Sequence, residues 1–296
     1  MAKIKVAVVG YGNVGQEACR CVLDAPDMEL AGVVRRNPGS DRYPFPVVND
    51  VAKLGPVDVA ILTIPSRSVP EVAPHYLELG INTVDSYDIH GDSMIKLKST
   101  LNSLAREMGK VSVIGAGWDP GTDSMVRCIF RAIAPRGVTY TNFGPGMSMG
   151  HTVAVKAIPG VKEALSMTLP AGFGHHRRDV YVELEPGADL AEVTRLIKED
   201  PYFKNDETRV TAVPSVEEVT AMGHGVVLQR FGSSGTAQNQ VLELRMRLSN
   251  PSATAQVMVA AARASTKLQP GAYTLVEIAP ADLLPEDRET IIRTMV

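Results

Sequence analysis

The stretch Val6-Ala7-Val8-Val9-Gly10-Tyr11-Gly12-Asn13-Val14-Gly15 decides the fold. Its apolar start reads as a buried strand. The G-x-G-x-x-G turn that follows runs straight into a helix-forming stretch, Gln16 to Asp24. Strand, glycine turn and helix in that order form a dinucleotide-binding unit. Gly10 permits the tight turn, Gly12 lets the backbone approach a pyrophosphate, and Gly15 lets helix and strand pack closely. The amide N–H groups at the helix start then face the phosphates. Without a ligand, the same residues would be a plain glycine-rich turn.

The second strand, Glu29-Leu30-Ala31-Gly32-Val33-Val34, tells one dinucleotide from another. An NAD site places Asp or Glu near the end of this strand, where the carboxylate accepts hydrogen bonds from the ribose hydroxyls. Here the strand ends in Arg35-Arg36 with no acid beside it. Two guanidinium groups suit a 2′-phosphate by charge and by fork geometry, so NADP(H) is favoured. Two solvated arginines at a strand end are the plainer alternative.

The remaining chain is of ordinary globular composition: 296 residues, 45% hydrophobic and 21% charged, with a formal net charge of −3. No Lys/Arg block stands out, which disfavours nucleic acid or an anionic membrane as partner. No apolar run reaches membrane-spanning length, and no signal-peptide pattern precedes the first strand. Cys19, Cys21 and Cys128 lack paired metal spacing and read as packing residues in a reducing cytoplasm. No spacing of His, Cys and Glu suggests a metal.

Residues 1–118 alternate strand and helix. Strands are expected at Val57–Ile64, Asn82–Tyr87 and Val111–Ile114, with helices at Val69–Leu79 and Ser93–Met108. Such alternation predicts an α/β fold with a doubly wound parallel sheet of Rossmann type. Ligands then collect beyond the carboxyl ends of the strands, which places Ser66, Asp88, Trp118 and Asp119 on the ligand side. From about Thr139 the pattern becomes that of an α+β domain. Its expected strands are Thr139–Phe143, Val153–Ala157, Ala164–Leu169, Val180–Glu185, Arg209–Val213, Gly225–Phe231 and Val241–Leu248. Two helices, Leu190–Glu199 and Val216–Met222, interrupt them. The alternation over Val241–Leu248 suits a half-solvated face or a dimer face. A long helix, Ser252 to Leu268, a strand at Ala272–Ile278 and a last helix at Pro285–Met295 complete the chain. The expected domains are 1–118, rejoined by 252–296, for the dinucleotide, and 119–251 for substrate binding and dimerisation.

Several clusters carry polar chemistry. Asp85 and Asp88 put two carboxylates at a strand end, and Trp118-Asp119-Pro120 adds a third with the one tryptophan. Beside a nicotinamide, such acids suit a substrate ammonium. Helix capping by Asp88 and Asp119 explains them equally well. The loop Thr141–His151 is rich in glycine, and its backbone N–H groups could hold a carboxylate or merely connect two elements. His175-His176-Arg177-Arg178 is either an anion site, with Arg178 as a bidentate partner, or a solvated hairpin tip. Gly223-His224-Gly225 isolates one imidazole between flexible residues, as a ligand contact or a structural histidine.

On these residues the chain resembles the meso-diaminopimelate dehydrogenases. The stretches that carry the likeness are Gly10–Gly15, Asp85–Gly91, Gly117–Ser124, Thr141–His151, Gly223–Gly225 and Asn250–Gln256. The resemblance spans the whole chain and is to the shorter, broader-specificity form, which lacks an insertion between Leu169 and Arg178. It implies NADP-dependent oxidative deamination at the D-centre of meso-2,6-diaminopimelate, the reverse amination with ammonium, and a homodimer. It also implies that Gly10, Tyr11, Gly12, Asn13, Val14 and Gly15 cradle the pyrophosphate and that Arg35, Arg36 and Asn37 hold the 2′-phosphate. Thr63, Ile64, Pro65, Ser66, Ser86, Tyr87, Asp88, Ala116, Gly117, Trp118, Asp119 and Pro120 would complete the cofactor crevice. Asp88, Trp118, Asp119 and Phe143 would surround the reacting D-centre, with Asp88 or Asp119 in the catalytic role. Met149, Gly150, Thr168, Arg178, His224 and Asn250 would hold the distal L-centre. Phe143 stands where longer relatives carry Trp, which bears on pocket width and on acceptance of D-amino acids and 2-oxo acids. The alternatives are a reductase of the dihydrodipicolinate-reductase type and a non-catalytic NADP(H) sensor.

Overall fold

The computed structural model describes residues 2–39, 42–220 and 223–296. The chain divides into two compact units, Met1–Val126 with Pro251–Val296, and Arg127–Asn250. The first stretch runs β1 (Ile4–Val9), α1 (Asn13–Asp24), β2 (Met28–Val34), β3 (Val47–Val48), β4 (Val59–Leu62), α2 (Val69–Glu78), β5 (Asn82–Asp85), α3 (Asp92–Glu107), β6 (Val111–Ile114) and α4 (Thr122–Ile133). There follow β7 (Arg136–Phe143), β8 (Gly146–Met147), α5 (Met149–Lys156), β9 (Val161–Gly172), β10 (His175–Leu184), α6 (Leu190–Glu199), β11 (Glu207–Ala212), β12 (His224–Ser234) and β13 (Ala237–Leu248). The chain closes with α7 (Asn250–Ser265), β14 (Gly271–Thr274) and α8 (Arg288–Met295).

In the first unit seven strands form one sheet in the order β14-β6-β5-β4-β1-β2-β3, and every pair in it is parallel. Alternation along β1 explains the double winding. Val6 and Val8 pack with Ala18 and Val22 of α1 and Met258 and Ala262 of α7, while Ala7 and Val9 pack with Ala73 and Leu77 of α2 and Leu101 of α3. A strand covered on both faces needs an unbroken apolar run, which is what Val6–Val9 supplies. This is the expected Rossmann-type α/β arrangement. The order of strands reverses between β1 and β4, which makes their carboxyl ends the switch point where ligands bind.

The second unit holds two sheets, β11-β10-β9-β8 and β13-β12-β7. Helices α5 and α6 cover the first through Ala154, Val155, Val193 and Ile197, packed on Val180, Val182 and Phe203. Two sequence expectations need correction here. Val153–Ala157 is helical: its short alternation imitates a strand, but Ala154, Val155 and Ile158 share the buried face set by a period near 3.6. Helix α4, rich in β-branched and charged residues, was not anticipated at all. The expected helix Val216–Met222 is a single 3-10 turn, Val216–Val219, and the end of that stretch, Met222, lies outside the described residues. Among the described residues no helix is long and apolar enough to cross a membrane.

Candidate functional site

In the first unit the glycine turn is locked from below. Gly10 has φ +96°, and a Cβ on it would come within 2.6 Å of the Thr63 carbonyl oxygen. A Cβ on Gly15 would meet the Gly10 carbonyl oxygen at 2.5 Å. The Thr63 hydroxyl donates to the Val9 and Gly10 carbonyls at 3.0 and 3.1 Å, tying the end of β4 to the turn. Gly12 differs: an added Cβ would have nothing within 4 Å, and the residue is exposed. The fold therefore demands glycine at positions 10 and 15 but not at 12, and bareness at 12 fits a pyrophosphate lying against the backbone. The turn also bears on the residues expected around it: Tyr11 lies in the turn just before the N-cap Gly12, and Asn13 and Val14 begin α1, whose first turn carries no acid. Arg35 Nε donates to the Asn37 carbonyl at 2.5 Å just beyond β2, and Arg36 and Asn37 are exposed. Two cations at that point fit an NADP phosphate.

The loops after β4, β5 and β6 are fastened to one another. The Asp88 amide donates to Ser66 Oγ at 3.2 Å, and Ile64 and Pro65 lead into that serine. The Ala116 amide donates to the Asp85 carbonyl at 2.7 Å. Asp85 Oδ1 accepts from the Tyr87 and Gly115 amides at 2.9 and 3.2 Å. Its carboxyl is wholly buried, and burial pushes its pKa up to about 7 against the pull of those two amides. Of the two carboxylates in the 85–88 stretch, Asp85 thus faces inward and fixes Ser86 and Tyr87, leaving Asp88 at the strand end. Gly117 and Trp118 form a tight turn with Gly121, the Gly117 amide donating to the Pro120 carbonyl at 3.0 Å. Asp88 does not cap α3, whose N-cap is Gly91. Asp119 lies three residues before the start of α4 at Thr122.

In the second unit, strand register brings together Thr168 and Arg178, two of the residues expected at the distal end of the substrate. Arg178 on β10 pairs with Thr168 on β9, Gly146 on β8 pairs with Thr168 in turn, and Phe143 on β7 pairs with Val226 on β12. Arg178 donates to Thr168 Oγ1, and its Nε donates to Asp206 Oδ2 at 2.6 Å. The basic cluster is therefore part of a strand; the hairpin tip is Phe173-Gly174. The Phe143 ring contacts two imidazoles, tilted against His176 at 5.3 Å and stacked on His224 at 6.4 Å between centroids. His224 opens β12, and burial with the nearby Arg178 charge lowers its pKa to about 4. Its glycine neighbours are there for close packing: a Cβ on Gly225 would reach the Met246 carbonyl oxygen at 2.5 Å.

Met149 and Gly150 begin α5. The N-cap, Ser148, makes no side-chain cap; its Oγ lies 2.8 Å from His151 Nδ1 instead. His151 Nε2 lies 3.0 Å from the Tyr202 carbonyl, which can only accept, so Nε2 carries the proton and Nδ1 accepts from the serine. Burial and the Arg178 charge drop the His151 pKa to about 3. The first amides of α5 are thus left uncapped beside a guanidinium, an arrangement that suits a carboxylate. Sequence reasoning placed Ser148 and His151 in a glycine-rich loop and His176 in a basic cluster without giving any of them a role of its own, and it missed Asp206, which reaches Arg178 from 28 residues away and carries no local signal. Asn250, the last residue of this unit, opens α7. Among the described residues no group of His, Cys, Asp and Glu could hold a metal ion.

Comparison with known proteins gives a consistent result. The family model for the diaminopimelic acid dehydrogenase C-terminal domain matches residues 117–174. The chain is 56% identical to the meso-diaminopimelate D-dehydrogenase of Bacteroides fragilis, over all of both chains. It superposes with a TM-score of 0.91 on the Corynebacterium glutamicum DAP dehydrogenase in complex with DAP, at 32% identity and full coverage of both. An engineered D-amino acid dehydrogenase bound to NADP+ matches with a TM-score of 0.90 at 30% identity, again over both full chains.

Proposed function

This chain belongs to the meso-diaminopimelate D-dehydrogenase family, and we propose that it catalyses NADP-dependent oxidative deamination of the D-centre of meso-2,6-diaminopimelate. The products are L-2-amino-6-oxopimelate, ammonium and NADPH, and the reverse reaction is reductive amination. The observation that carries this reading is full-length likeness to relatives of that name, one seen with DAP and an engineered one with NADP+. The site supports it. Arg178 and the uncapped start of α5 match a distal carboxylate, and Gly12 and the Arg35-Arg36 pair match a phosphorylated dinucleotide.

When bound, NADP+ accepts the hydride from the substrate carbon. Gly10 to Gly15, Arg35, Arg36, Asn37, Thr63 to Ser66, Ser86 to Asp88 and Ala116 to Pro120 hold that cofactor in place. Asp88, Trp118, Asp119 and Phe143 contact the reacting D-centre, and Met149, Gly150, Thr168, Arg178, His224 and Asn250 hold the L-centre. The carbon gives up its hydride only when the amine is neutral, so Asp88 or Asp119 orients the amine or takes its proton. An amine of pKa roughly 10 is deprotonated in base, so deamination accelerates toward alkaline pH. Water then adds to the imine and ammonium leaves.

We also assign a homodimer. Leu242, Leu244 and Met246 on β13 remain only partly buried, on a sheet whose other face is charged, and a second copy would cover them. The three cysteines are unpaired, which fits the cytoplasm.

The deciding experiment follows NADP+ reduction at alkaline pH with the meso, LL and DD isomers and with D-alanine. Turnover of the meso form with little from LL supports D-centre attack, and added D-alanine turnover marks a wider pocket at Phe143. No turnover despite NADPH binding would leave the sensor or a different reductase.

A further inference from the structure

Phe143 is the last residue of β7, and β7 is an edge strand, bonded to β12 on one side only. An edge strand presents backbone amides that the sheet itself does not satisfy, and a half-buried amide needs an acceptor from elsewhere. At Phe143 the acceptor is an imidazole. Its N–H donates to His176 Nε2 at 2.8 Å, across from the neighbouring sheet. A backbone amide can only donate, so this nitrogen carries the lone pair and the ring proton sits on Nδ1. The same ring lies 5.3 Å from the Phe143 ring, and the Phe143 ring is also stacked on His224 at 6.4 Å. One side chain thus holds both the backbone and the ring of Phe143.

We propose that His176 is a specificity-determining positioning residue: its unprotonated Nε2 anchors the Phe143 amide, its ring backs the Phe143 ring, and together they set the width of the pocket wall at the reacting centre. This rests on the reading that Phe143 contacts the D-centre. His176 touches neither the reacting atoms nor the cofactor in this scheme; it acts through Phe143 alone.

The surroundings keep the ring in the form this role requires. Burial and the Arg178 guanidinium disfavour the imidazolium, and His175 acts in the same direction. Asp206 and the Thr141 carbonyl favour it, but they are outweighed. His224 on β12 and His151 on α5 also sense the His176 charge and are themselves held neutral. Protonation would set an N–H against the Phe143 N–H, remove the anchor and release the ring. Above neutral pH, where deamination is favoured, the anchor is intact.

Three variants and one spectrum test this. His176→Leu keeps apolar bulk but has no acceptor, whereas His176→Gln offers an amide oxygen where Nε2 stood. The expected result for His176→Leu is a several-fold rise in the kcat/KM ratio of D-alanine to meso-diaminopimelate, with KM for NADP+ unchanged and the ratio largely restored in His176→Gln. An unaltered ratio in His176→Leu, or the same ratio in both variants, overturns the proposal. Phe143→Ala separates the two levels of inference. If it changes the ratio while His176→Leu does not, the reading of Phe143 stands and the role of His176 falls. If Phe143→Ala leaves the ratio alone, both fall. Nitrogen-15 NMR of the wild-type enzyme decides the matter even if His176→Leu does not fold. The Nε2 resonance must be that of an unprotonated nitrogen at pH 8, and the Phe143 amide must shift with the His176 titration. A proton on Nε2 at that pH rules the anchor out.

Discussion

At the scale of single residues, the glycine turn separates what the fold needs from what the cofactor needs. Gly15 is fixed by the Gly10 carbonyl 2.5 Å from any added Cβ, so Gly15→Ala must displace the turn itself. Gly12 has φ −76°, which any residue accepts, and open space around it. We expect Gly12→Ala to leave the melting temperature of the free enzyme within about a degree while raising KM for NADP+ by tenfold or more, and Gly15→Ala to lower both stability and binding. Differential scanning fluorimetry with and without NADP+ separates them, since a bound ligand stabilises by RT ln(1 + [L]/Kd). Equal melting shifts for the two variants in the absence of NADP+ would refute the distinction. Asp85 gives a second contrast. Asp85→Ala strands the Tyr87 and Gly115 amides, each at a cost of about 1–3 kcal/mol. Asp85→Asn keeps the acceptor and removes a carboxyl that burial holds at about pH 7, so it retains activity and loses less stability above neutral pH than the wild type. Urea melts of all three proteins at pH 6 and pH 8.5 check this ordering.

At the scale of elements, α5 is held by a histidine rather than by a cap. His151→Phe keeps the edge contacts to Tyr202 and Phe203 but leaves the Ser148 hydroxyl and the Tyr202 carbonyl without this partner. The expected cost is about 1–3 kcal/mol in stability. KM for the diaminopimelate substrate should rise several-fold with kcat nearly kept, because Met149 and Gly150 lose their footing while the cofactor half is untouched; steady-state kinetics beside a thermal melt tests both halves. The same helix shows where sequence reading stops. The parallel sheet was legible because β1, β4 and β6 are short β-branched, mostly apolar runs, with glycine directly after β1 and β6, and α6 and β6 were placed to the residue. Val153–Ala157 was not, because the short run Val-Ala-Val-Lys-Ala satisfies both periods and only the packing of Ala154 and Val155 with Phe203 chooses between them. The residues proposed to touch the substrate, such as Arg178 and His224, could be named from sequence and family likeness. Those that support them could not: Asp206, Ser148 and His176 act through contacts 28, 3 and 33 residues away in the chain.

At the scale of the whole molecule, the two units carry opposite responses to acid. In the second unit His151, His224 and His176 are held neutral by burial and by Arg178, with His151 at about 3 and His224 at about 4. A histidine whose folded pKa lies below its unfolded value of about 6.5 contributes stability that is whole above that value and is lost as pH falls below it. An imidazole that stays neutral down to pH 5 costs the fold about 2 kcal/mol there, a factor of roughly thirty in its opening constant. In the first unit Asp85 works the other way. Its folded pKa of about 7 lies above the unfolded carboxyl, so the fold gains as pH drops from 7 toward 4. Asp27, which the Arg263 guanidinium holds below the usual carboxylate range, does not weaken the first unit until the pH falls below that of an ordinary aspartate. Between pH 7 and pH 5, hydrogen exchange corrected for its intrinsic pH dependence should therefore accelerate in β7, α5, β10 and the start of β12 while β5 and β6 hold their protection. Uniform acceleration across both units would mean that the buried imidazoles do not govern the acid response. Loss confined to the second unit predicts that activity fails in acid before the dinucleotide-binding sheet does, a sequence that NADP+ binding followed by fluorescence over the same pH range tests.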